Sequence, residues 1–154
     1  MITEAYISET DKTQFASRNM LIDNRGCEGN TICSLILQGV IVSDGKSNEI
    51  QGIERIVFRF RGLSKFPRFQ ENQTLDLSFG NGKQFSTQFT LNGFSQDSMF
   101  IHEDFYIDIS DSVLNEWANA KTVKGTIGPL KIKVSEDELE PLRFLAEKSH
   151  ELTQ

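Results

Sequence analysis

Alternation with a period of two dominates the middle of the chain. From Ile53 to Arg61 the side chains of Ile56, Phe58 and Phe60 fall on one face, and those of Arg55, Val57, Arg59 and Arg61 on the other. Thr74 to Phe79 repeats the pattern, with Leu75, Leu77 and Phe79 inward and Asp76 and Ser78 outward. Gly80-Asn81-Gly82-Lys83 then predicts a tight hairpin turn, because Asn-Gly tolerates positive φ at both central positions. The return strand gathers Phe85, Thr87, Phe89 and Leu91 on one face. Met99 to Ile109 sets Ile101, Phe105, Ile107 and Ile109 against His102, Asp104, Tyr106 and Asp108. A second hairpin is predicted over Thr122 to Val134 with its turn at Gly128-Pro129. It opposes Val123, Gly125 and Ile127 to Leu130, Ile132 and Val134 and leaves Lys121, Lys124, Lys131 and Lys133 toward water.

Elsewhere the pattern changes. Glu4 to Ile22 has apolar positions too sparse to set a period and is expected to hold a strand or two. Thr31 to Val42 is a long apolar run whose β-branched residues favour a strand, with a bulge or bend expected at Gly39. Val113, Leu114, Trp117 and Ala118 make a helical stripe in a short helix near 111–120, capped by Ser110 or Asp111. Ser135-Glu-Asp-Glu reads as a capping box for a C-terminal helix near 138–149 that turns Leu139, Leu142, Leu145 and Ala146 to the body of the protein. Pro141 conflicts with an early start, since it lacks the N–H that a helix interior needs, so a single tight turn is expected before the helix proper. The expected fold is therefore mainly β, an antiparallel sandwich or barrel-like domain spanning residues 1–154, with these two helices.

Composition sharpens this picture. Of the aromatic residues 12 are Phe, against 2 Tyr and 1 Trp, so the core is expected to be built largely from rings without a polar handle. The net charge of -6 speaks against nucleic-acid partners, whose protein surfaces are usually basic. No run approaches the roughly 18 apolar residues of a membrane helix. The first residues lack the basic segment and apolar core of a secretory signal, which predicts a soluble cytoplasmic protein, or an exported one already trimmed. Cys27 and Cys33, with five residues between them in a glycine-containing stretch, are compatible with a small disulfide ring or with two reduced thiols. A metal site is not expected, because the histidines His102 and His150 lie far from both cysteines.

The last third carries a family likeness. Phe105-Tyr-Ile-Asp-Ile, Leu114-Asn-Glu-Trp-Ala-Asn-Ala, Val123-Lys-Gly-Thr-Ile-Gly and the leucines from Leu139 to Leu145 follow one another over residues 105–147. In that order they resemble a family of small uncharacterised bacterial proteins, frequent in cyanobacteria. The resemblance implies a β-rich fold with a closing helix. It implies no activity, because the shared residues are of structural types.

Three clusters bear on chemistry. Arg55, Arg59 and Arg61, with Lys65 and Arg68 beyond them, form a basic stretch fit to clamp a small anionic ligand through forked guanidinium contacts. The plainer reading is a solvated strand face whose arginines pair with acidic neighbours such as Asp76. Phe66 and Phe69 flank Pro67 in an apparent loop and are candidates for contact with a protein partner. His102, Asp104 and Asp108 share one strand face while Glu103 points away, a thin set for metal binding or acid–base catalysis. Asp76-Leu-Ser-Phe-Gly-Asn-Gly comes near the cyclic-dinucleotide motif of PilZ domains, but the glycines fall one residue early and one late. There is no nucleophile elbow and no phosphate-cradling loop. The leading expectation is a non-catalytic module that binds a protein partner, without a cofactor. The alternatives are a small anionic-ligand binder and an enzyme of unrecognised type.

Overall fold

The computed structural model describes residues 1–23, 34–50 and 52–154. Cys27 and Cys33, and the disulfide considered for them, lie outside the described residues. The alternating segments become β5 (Arg55–Ser64), β6 (Thr74–Ser78), β7 (Gln84–Gln88) and β9 (Ile101–Ile109). The sparse N-terminal region forms β1 (Ile2–Ile7), β2 (Lys12–Ser17) and β3 (Met20–Asp23), and the long apolar run forms β4 (Ser34–Asp44). With β8 (Leu91–Gln96), β10 (Thr122–Ile127) and β11 (Leu130–Ser135), the strands make two antiparallel sheets. The larger has seven strands in the order β1-β2-β4-β5-β9-β8, with β3 also on β4, and the smaller has four in the order β11-β10-β6-β7.

Strand β4 shares one edge between two short strands of the N-terminal region. Its first half pairs with β3 (Leu21 opposite Ile36) and its second half with β2 (Phe15 opposite Ile41), on the same edge. At the changeover the Ser17 hydroxyl accepts the Gly39 N–H at 2.9 Å, and the Gln38 side chain donates to the Ser17 carbonyl. No bulge forms at Gly39 against β5: β4 and β5 pair without a register shift straight through Gly39 opposite Phe58. Gly39 instead makes room for the C-terminal helix: a Cβ there would stand 2.5 Å from Leu145 Cδ2, which would have to shift.

Both hairpins form where expected. In β10–β11, Val123, Gly125 and Ile127 face Val134, Ile132 and Leu130. Gly128 takes φ 57 before Pro129, the sign pattern of a type II′ turn. In β6–β7 the positive φ values belong to Gly80 and Gly82, not to Asn81. Asn81 instead accepts the Lys83 N–H at 3.0 Å and donates to Glu116, while Lys83 Nζ reaches Glu116 at 2.7 Å. The Lys83 and Asn81 hydrogen bonds hold the Glu116 carboxyl below its usual range and fasten this hairpin to helix α1.

Helix α1 (Asp111–Asn119) is capped by Ser110, whose hydroxyl accepts the Val113 N–H at 3.2 Å. The C-terminal segment begins with a 3₁₀ turn, Asp137–Leu139, and continues as α2 (Glu140–Leu152). Pro141 thus falls in the first turn of α2, where its missing N–H has no intrahelical partner to lose. Only half of the capping box forms: Glu138 accepts from the Ser135 N–H at 3.1 Å, and the Ser135 hydroxyl donates to the same carboxylate.

The core lies between the inner faces of the two sheets and the helices. Phe58 packs edge-on to Trp117 at 5.2 Å, and Phe105 stacks between Phe60 at 4.8 Å and Phe89 at 4.0 Å. Leu139, Leu142 and Leu145 of the C-terminal segment are buried against this cluster. On the opposite, outer face of the large sheet Arg55, Arg59, Arg61, Asp104 and Tyr106 are exposed.

Candidate functional site

Strand β5 presents Arg55, Val57, Arg59 and Arg61 on that outer face, as its alternation dictates, because Ile56, Phe58 and Phe60 are drawn into the core. Register with β4 sets Ile36 beside Arg61, Gln38 beside Arg59, Val40 beside Val57 and Val42 beside Arg55. On the other side β9 sets Asp104 beside Arg61, Tyr106 beside Arg59 and Asp108 beside Val57. The outcome is an open groove of about 240 Å³ lined by Gln14, Val40, Val42, Arg55, Val57, Arg59 and Tyr106.

Its floor and walls differ in kind. Val40 and Val57, at 3% and 8% exposure, lie under the longer side chains although they sit on the solvent face. Arg55 is fixed in place: its Nη2 lies 2.7 Å from Asp108 Oδ1 and its guanidinium stands 5.6 Å from the centre of the Tyr106 ring. The hydrogen bond that Arg55 donates to Asp108 raises the Arg55 pKa above its ordinary value. Arg59 and Arg61 are exposed and have no hydrogen-bond or ion-pair partner among the described residues. Tyr106 keeps 44% of its surface exposed beside them. Asp76, named above as a partner for these arginines, belongs to β6 in the other sheet, and β9 supplies the neighbouring acids instead.

The rest of the basic stretch does not join the groove. Lys65 is exposed beyond the end of β5. Arg68 is buried, and its Nη2 donates to the Ser34 carbonyl at 2.5 Å and the Leu63 carbonyl at 3.3 Å. These bonds tie the 65–72 loop to the sheet, so Arg68, named above with the ligand-binding arginines, stands apart from the groove. The two loop phenylalanines also part. Phe66 is 49% exposed, whereas Phe69 is fully buried against Phe89 and Phe105 and offers no surface to a partner. Glu103 explains the tuck: at 1% exposure, its carboxylate accepts the backbone N–H of Arg68 at 2.7 Å and of Phe69 at 3.1 Å.

His102, Asp104 and Asp108 share the outer face of β9, as its alternation predicts. His102 bonds Asp97 at 3.1 Å, and Asp108 is taken by Arg55. Among the described residues no group of three or more His, Cys, Asp or Glu is placed to hold a metal ion. Also among them, no helix is long and apolar enough to cross a membrane. Sequence reading found the arginines but missed Tyr106, Gln14 and the valine floor. Tyr106 carried a usable signal, because it breaks an otherwise charged strand face, but its proximity to Arg59 depends on β9 pairing with β5. No family model, curated protein or solved structure matches the chain.

Proposed function

We propose that the protein is a non-catalytic binding module whose partner, another protein, docks on the outer face of the large sheet around Arg59 and Tyr106. One observation carries this reading: Arg59 stands uncommitted beside a half-exposed tyrosine and above nearly covered valines. Arg and Tyr are the residue types that concentrate binding energy at protein interfaces, and a dry apolar floor strengthens a charge-assisted contact above it. The openness of the groove favours a protein surface over a small molecule, since about 240 Å³ falls short of the roughly 300–1,000 Å³ of ordinary ligand pockets.

Selection of a displayed random-peptide library on the protein tests the reading. Binders to this face are expected to lose at least about tenfold in affinity on Arg59→Glu or Tyr106→Ala. They are expected to bind Lys124→Glu, on the other sheet, unchanged. Binders indifferent to Arg59→Glu would move the site elsewhere. The pairing of Arg59 with Arg61 two residues on favours a second reading, a small-anion site. A rise in melting temperature with inorganic phosphate or a nucleotide, lost in Arg59→Ala, would establish that reading instead.

A further inference from the structure

Along the seam between β4 and β5 the outer face changes character in steps. The β5 positions run Arg61, Arg59, Val57, Arg55, and the facing β4 positions run Ile36, Gln38, Val40, Val42. Neither Ile36, Gln38, Val40 nor Val42 carries a charge, so the seam has no acid on its β4 side. The acids of β9 lie on the far side of β5, where Asp108 is engaged by Arg55 and Asp104 stands beside Arg61 without forming an ion pair among the described residues. Arg59, which has no acid beside it on β4 or β9, and Arg61, beside Asp104, are the outer-face cations of this seam without an ion-pair partner among the described residues, and the apolar surface follows immediately at Val57 and Val40.

The steps recur every second residue of β5, about 6.7 Å apart. Any extended polypeptide repeats its side chains on one face at that same interval. From this match, and resting on the outer face being the docking face, we infer that the occupant is an extended segment of a partner protein with the pattern acidic-x-acidic-x-apolar. The segment lies along β5 over the β4–β5 seam. Its two carboxylates meet Arg61 and Arg59, and its apolar side chain covers Val57 and Val40. The next side chain on that face meets Val42 and the aliphatic stem of Arg55. A helical segment matches only one step, since residues four apart rise about 6 Å but the next same-face residue follows after only about 4.5 Å, out of step with β5.

Capped, fluorescently labelled peptides test the inference. One carries the sequence Glu-Thr-Glu-Thr-Leu-Thr-Val, a second carries it reversed, and a third rearranges the same residues as Thr-Glu-Glu-Thr-Thr-Leu-Val, which splits the acids between opposite faces. Anisotropy titrations are expected to show one or both alternating peptides binding at least about tenfold more tightly than the rearranged one. That binding is expected to vanish in Arg59→Glu/Arg61→Glu, whose melting temperature serves as the check on folding. The double variant is expected to accept the charge-reversed peptide Lys-Thr-Lys-Thr-Leu-Thr-Val, which wild type refuses. Equal binding of alternating and rearranged peptides, or no binding by any, overturns the inference. Library binders that depend on Arg59 but lack the alternation would overturn it while leaving the docking face in place. Loss of Arg59 dependence in both experiments would remove the docking face itself.

Discussion

Individual side chains here are best judged by what their polar atoms meet. Glu103 is a buried carboxylate accepting two backbone N–H groups from the 65–72 loop. Replacing it with Ala leaves both donors buried, so Glu103→Ala is expected to lower stability by about 2–4 kcal/mol, with Glu103→Gln losing less, as read from denaturant midpoints. Ser43 is the opposite case. Its hydroxyl is buried without a hydrogen-bond partner among the described residues, so Ser43→Ala is expected to be neutral or to stabilise by up to about 1 kcal/mol. Asp97 shows a third pattern. The N–H groups of Met99 and Phe100, aided by His102, lower its pKa from 3.8 to about 2. A carboxyl whose pKa is depressed by folding contributes stability that is fully present above its unfolded value and is lost as pH falls through the folded one. The β8–β9 turn is therefore expected to weaken only between about pH 4 and pH 2. Carbon-detected titration of Asp97 checks this, and a midpoint near 4 would mean that the turn hydrogen bonds are not held in solution.

At the level of elements, local signals were read well and non-local ones were not. Both hairpins and both helices follow from turn glycines, a Ser cap and apolar periodicity, all of which lie within a few residues of what they control. Even the doubt over Pro141 resolved locally, into a 3₁₀ turn before the helix. By contrast, the sharing of one β4 edge by β2 and β3 depends on Ser17 meeting Gly39 across the chain, and alternation carries no trace of that. The tuck of Arg68 and Phe69 depends in the same way on Glu103, which period two assigned inward without naming what it would hold. The glycines divide along this line. A Cβ at Gly82 meets nothing within 4 Å, and its φ of 84 is a purely local demand, so Gly82→Ala is expected to lower stability by about 1–2 kcal/mol. Gly125 sits at φ 153, and a Cβ there would overlap the Asp76 carbonyl of the neighbouring strand. Gly125→Ala must therefore part β10 from β6, and a loss of about 3 kcal/mol or more is expected in thermal or denaturant unfolding.

Across the whole molecule, the two sheets and the C-terminal helix depend on one another for burial. Phe58 of the large sheet and Phe79 at the end of β6 both pack on Trp117, at 5.2 and 6.1 Å, so the single tryptophan reports on both sheets at once. Helix α2 closes the inner face over β2 and β4, with Leu145 filling the space that Gly39 leaves. Among the described residues α2 packs on the inner face of the large sheet, the Gly39 side of β4, and the arginine seam lies on the other. If the core is one cooperative unit, tryptophan fluorescence and far-ultraviolet circular dichroism must report the same unfolding midpoint. Leu145→Ala, which opens a cavity under α2, is then expected to move both midpoints together by an amount equal to about 2–5 kcal/mol. It should leave the affinity of Arg59-dependent binders unchanged at temperatures where the variant is folded, because Leu145 packs on the Gly39 side of β4 and the seam's side chains stand on the opposite face. Separated midpoints would show that the small sheet or the helix unfolds independently. A loss of binding in folded Leu145→Ala would show that the outer face takes its shape from the helix beneath it.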